Sequence, residues 1–195
     1  MNIVQYGRQL FPLNCGITDG MDITCDDLKK PGGVYRVAWV FNLGDLRTPI
    51  DVTLASYITN LNFNTYVSLY RFESAKFTHE GTWVEQVGDS GNVSYQQTAI
   101  LRLANANPTA DRVIENASVA ELGIIFKTNA GEFLIYGAGN GLAADASTTG
   151  GTGRQSTDST FTTLNLVGTE RYLPKRLLIG GSVTTTQQYL DAASS

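Results

Sequence analysis

The chain has 195 residues, 42% of them hydrophobic, with a formal net charge of −4. That suffices for one sizeable domain and is too apolar for wholesale disorder. The weak acidity supplies no field for gripping DNA or an anionic membrane, although a weakly acidic wall lets a polyanion pass without sticking.

Residues 1–33 read as an irregular arm, broken by Asp19-Gly20, Cys25-Asp26-Asp27-Leu28 and Pro31-Gly32-Gly33. Leu10, Phe11, Leu13 and Ile17 are scattered apolar residues suited to pinning that arm onto a neighbour or onto its own domain. Met1 to Arg8 lack the basic start and apolar centre of a signal peptide, so secretion by that route is not expected. Cys15 and Cys25 permit a disulfide but define no framework. Without an oxidising address they are expected as reduced, structural thiols. No apolar run approaches the roughly 18–20 residues of a helical membrane span.

Regular structure is expected from Val34 to Phe41, a β-branched and aromatic run stopped by Asn42-Leu43-Gly44-Asp45. Residues 57–63 and 66–72 both alternate, and Asn64-Thr65 between them predicts a hairpin. A longer hairpin is expected over 76–103, turning at Gly88-Asp89-Ser90-Gly91. On its second arm Val93, Tyr95, Ala99, Leu101 and Leu103 share one face, opposite Ser94, Gln96, Thr98 and Arg102. That opposite face is mostly uncharged, which suits packing against another protein better than a catalytic cleft.

One helix is well signalled over 108–119. Asn107 is an N-cap, Pro108 suits the first helical position, and Asp111 complements the dipole. Ala110, Val113, Ile114, Ala117 and Ala120 recur at spacings of three and four. Next come two near-continuous apolar strands, Leu122–Thr128 and Glu132–Gly137, joined by Asn129-Ala130-Gly131. Residues 137–158 are rich in Gly, Ala, Ser and Thr and read as a flexible loop that orders against a partner. Strands follow at Phe161–Gly168 and Arg176–Ile179, then a short C-terminal helix from Val183 to Ala193 capped by Ser182. No repeat of fixed period occurs. The expected fold is mainly β, a barrel or sandwich of antiparallel strands with one flanking helix, as a single domain over 34–195.

The chemistry-bearing residues do not assemble into a motif. His79 is the one histidine, and a triad would need it as base. It reads instead as a strand histidine at a sheet surface or interface. Gly137-Ala138-Gly139-Asn140-Gly141 has residue 142 as Leu and no helix after it, so it lacks a dinucleotide fingerprint. Asp26-Asp27, and Glu80 with Glu85, are the acid pairs, read as solvated or salt-bridged. Asp19, Asp22, Asp26 and Asp27 miss the EF-hand spacing. Two thiols without further ligands fall short of a zinc site. The sequons at Asn92 and Asn116 are expected to be chance. Lys29-Lys30 and the group Arg171, Lys175 and Arg176 are too small for a nucleic-acid footprint. They read as solvated charges or as partners for acids on an adjacent subunit. No catalytic residue, cofactor or metal is expected, nor an enzyme. Trp39 and Trp83 lie in apolar-patterned strands and are expected in the core or an interface.

The order of elements resembles tail tube proteins of long-tailed bacteriophages. More narrowly, Cys25-Asp26-Asp27-Leu28-Lys29-Lys30-Pro31-Gly32-Gly33-Val34 is similar to the start of structural proteins in phages of Bacteroidetes-type hosts. Glu132 to Gly137, and Gly168-Thr169-Glu170 followed by Leu173-Pro174, resemble segments of the same group. The resemblance spans roughly residues 25–180. It implies a virion structural protein, assembled in the host cytoplasm, that forms stacked homohexameric rings, a tube that conducts the genome through the tail. It also implies contacts with other tail proteins, no membrane, and a lumen through which DNA passes without specific binding. Residues 1–33, 42–56 and the 76–103 hairpin are the implied bridges between subunits. A tail terminator, head–tail connector ring or decoration protein is the neighbouring expectation. A carbohydrate-binding β-sandwich using Trp39 or Trp83 is the alternative of a different class.

Overall fold

The computed structural model describes residues 31–51, 57–64, 69–75, 78–104, 108–151 and 161–194. All of them belong to a unit spanning Pro31–Ser195. The readings of the N-terminal arm through Lys30, of Cys15 and Cys25, of the Asn107 cap and of residues 152–158 lie outside the described residues.

Two sheets form the fold, as expected for a sandwich; among the described residues they do not close into a barrel. The larger is ordered β2 (Tyr57–Ile58), β11 (Lys175–Leu177), β7 (Phe133–Tyr136), β6 (Leu122–Thr128), β1 (Val34–Asn42) and β3 (Tyr70–Glu73). The smaller is ordered β4 (Glu80–Val87), β5 (Val93–Ala104), β10 (Phe161–Glu170) and β8 (Ala143–Ala144), with β9 (Thr149–Gly151) also on β10. Apart from the parallel β2–β11 pair, the pairings are antiparallel.

The central strands of the six-stranded sheet are buried on both faces. Towards the second sheet, Ala38, Val40, Ile124 and Phe126 meet Ala99, Leu101, Leu164 and Leu166. On the far side, Trp39, Phe41, Ile125 and Ile135 pack under Ile58, Leu61 and Leu190. Successive residues point to opposite faces, so a strand covered on both sides must be apolar throughout. That explains the unbroken buried runs Val37–Phe41 and Leu122–Phe126.

Both long hairpins form as expected, with Gly91 and Gly131 at φ of 78° and 91° in their turns. Helix α1 (Pro108–Ala117) and helix α2 (Val183–Ala192) also form. The Ser182 hydroxyl accepts from the Thr185 N–H at 3.1 Å, which caps α2.

Two readings change. The described residues of 57–63 and 66–72 do not pair as a hairpin: β2 pairs in parallel with β11, and β3 pairs with β1. Ile58 and Leu61 are both buried, which a strand alternating through 57–63 does not allow. The stretch 137–151 carries structure of its own, because β8 and β9 pair with β10 and the Asp145 N–H donates to the Asn165 carbonyl at 2.8 Å.

Candidate interaction surface

His79 directly precedes β4 and is 5% exposed, so it is a core residue and not a sheet-surface histidine. Its Nδ1 accepts from the Arg102 N–H at 3.4 Å, and its ring lies 6.3 Å from that of Phe126. Burial lowers its pKa; the Arg36 and Phe72 backbones pull the other way. Neither meets hydrogen-bond geometry at Nε2, which is buried without a partner, so burial wins.

The glycine-rich loop is occupied from within. The Glu170 carboxylate, 5% exposed, accepts from the N–H groups of Gly139, Asn140 and Gly141 at 3.1, 2.8 and 3.3 Å. A row of backbone N–H groups is an anion nest, and here the anion is the protein's own. Beside it Gln97 is 2% exposed, donating to the Tyr172 carbonyl at 2.8 Å and accepting from the Gly137 N–H at 2.9 Å. The sequence reading passed over both residues. Their signal is phase: Gln97 alternates with Tyr95, Ala99 and Leu101, and Glu170 with Leu164 and Leu166.

The other chemical candidates stay apart. Glu80 and Glu85 point to opposite faces of β4 and lie roughly 16 Å apart along it, beyond the separation at which a glycosidase pair cooperates. Arg171 and Lys175 bracket the Tyr172 ring at 5.5 and 4.9 Å, and Arg176 contacts Glu132 at 3.4 Å. Among the described residues no cluster of three or more His, Cys, Asp or Glu is placed to hold a metal, and no helix is long and apolar enough to cross a membrane. A cleft of about 510 Å³ beside α2 is lined by Arg47, Leu61, Phe63 and Tyr189. The Tyr189 hydroxyl there donates to the Leu61 carbonyl at 2.7 Å, and burial raises its pKa.

The unusual surface is the outer half of the β4–β5 hairpin. Near its base the inward face is core, with Ala99 and Leu101 wholly buried. Further out the same face continues through Trp83, Val87 and Val93, which are 48%, 65% and 45% exposed. Trp83 meets Tyr95 edge-on at 6.0 Å and sits at the rim of a cleft of about 410 Å³ with Tyr136, Leu173 and Pro174. The hairpin runs about 13 Å beyond Trp83 to Val87, so this apolar face outlasts the sheet beneath it. Trp39, by contrast, is a core residue at 1% exposure, with its Nε1 unpartnered.

Edges differ in the same direction. Strand β3 ends the larger sheet with four residues and carries Arg71 and Glu73, tied at 3.1 Å, with Arg36 also 3.1 Å from Glu73. Short, charged edges resist adding strands. Strand β4 ends the smaller sheet with eight residues, among them Trp83, Val84 and Val87. Its outward face is mostly uncharged, as the sequence suggested: Thr82, Val84 and Gln86 lie beside Ser94, Gln96 and Thr98, with Glu80 and Arg102 nearer the base. Compared with family models, curated proteins and solved structures, the chain gives no match to any of them.

Proposed function

We propose that this protein is a self-assembling structural subunit of a virion, a tail tube protein whose rings stack into a conduit for the genome. The observation that carries the reading is the outer hairpin: a largely apolar face and a long sheet edge that no other described strand pairs with, both exposed to solvent. A solitary protein has reason to blunt such an edge, whereas an assembling one completes it with a neighbour's backbone. The resemblance across residues 25–180 supplies the kind of assembly, hexameric rings in a phage tail built in the host cytoplasm, with other tail proteins as further partners. The mostly uncharged outer face of the small sheet and the net charge of −4 suit a surface that DNA passes without being held.

A terminator, connector or decoration protein remains the second reading, since the same surface serves a single ring. Burial of Trp39 removes one of the two aromatics proposed for glycan binding, leaving only Trp83 half exposed. Sizing the purified protein across concentrations, with negative-stain images of the large fractions, tests the proposal. Open-ended stacks are expected. Isolated rings favour the second reading, and a monomer that binds glycans overturns both.

A further inference from the structure

On the opposite flank of the larger sheet lies a groove of about 440 Å³ between α1, β1 and β3. Val40, Tyr70, Phe72, Val113 and Leu122 line it, with Arg112 beside them. Its volume is within the range of about 300–1,000 Å³ that admits large apolar groups. We infer that this groove receives the outer half of the β4–β5 hairpin of a second copy. The inference rests on the self-assembly reading above and adds which surface of the neighbour the hairpin enters.

Three observations favour that occupant. The hairpin offers what the groove lacks, exposed Trp83, Val87 and Val93 on one face. Charge is complementary: residues 80–93 contain Glu80, Glu85 and Asp89 and no lysine or arginine, while the groove presents Arg112. Glu85 shares its face with Trp83 and Val87, so it travels with them. Placement also fits. Trp83 sits against β7 and β11, the groove against β1 and β3, and β6 lies between them in the sheet order. Donor and acceptor on opposite flanks make a head-to-tail contact, which closes into a ring or continues without end.

Charge reversal tests this by sedimentation velocity. Glu85→Arg and Arg112→Glu should each weaken association about tenfold or more, and the double variant should recover most of it. Both positions are exposed, so the fold should survive, and circular dichroism checks that it does. A second arm uses a background with Cys15→Ser and Cys25→Ser. Val87→Cys and Tyr70→Cys chains, purified separately and mixed with a short bismaleimide, should give a covalent heterodimer. If Glu85→Arg weakens assembly while Arg112→Glu does not, and the mixed chains fail to cross-link, the groove is not the receptor and self-assembly stands. If the unmodified protein never associates, the underlying reading fails as well.

Discussion

In the larger sheet, β1 and β6 are covered on both sides, and five consecutive residues of each are buried. In the smaller sheet, seven of the eight residues of β4 are exposed although Trp83, Val84 and Val87 are among them. The two strands use similar residues to opposite ends. Apolar side chains in β1 and β6 contribute to the stability of a single copy, at about 1.5–3 kcal/mol for each large one. The same chemistry in outer β4 contributes less to a single copy, because much of it stays exposed until something covers it. A mutation should therefore harm either folding or association according to which side of this divide it falls on.

The largest effect should come from the twice-covered sheet. Phe126→Ala removes a fully buried ring packed 5.6 Å from Tyr136 and should cost about 3–5 kcal/mol in urea denaturation. Gly123→Ala would place a Cβ 2.1 Å from the Phe41 ring, itself fully buried, and should cost about 1–3 kcal/mol. Glu170→Ala strips three backbone donors of their acceptor and should cost a similar ~1–3 kcal/mol, with hydrogen exchange rising first at 139–141.

Acid should act through His79. Its folded pKa is lowered by burial, whereas the unfolded chain takes up that proton near 6.5. Below 6.5 the unfolded state binds more protons, so stability falls as pH drops towards the lowered folded value. The slope from this one group is at most about 1.4 kcal/mol per pH unit. His79→Gln should flatten the pH dependence of the denaturation midpoint between 6.5 and the lowered value; an unchanged curve would contradict the burial argument. Val87→Ser, at a position 65% exposed, should shift monomer stability least, within about 0.5 kcal/mol, while reducing association.

Much of this division was legible in the residues. The hairpin at 80–104 announced itself by alternation about a glycine turn, that at 122–136 by two apolar runs about an Asn/Gly turn, and Ser182 announced α2. The near-continuous apolar arms at 122–137 pointed to a central position in the fold. Partner choice was not legible. Alternation says that 57–58 and 70–73 are extended, but not that one joins β11 and the other β1 across long separations. The loop 137–151 was misjudged because low complexity hides pairing made by backbone alone. The site was half visible: the mostly uncharged face of β5 stood out, but where the inward face leaves the core depends on how far the other sheet extends, which no local pattern records.

Sedimentation velocity of the unmodified protein beside a Trp83→Ser, Val87→Ser variant, over a hundredfold range of about 1–100 μM, tests the central claim most directly. The account predicts that the unmodified chain shifts to large species with concentration while the equally folded variant stays slow. A single slow species for both, at every concentration, would contradict it.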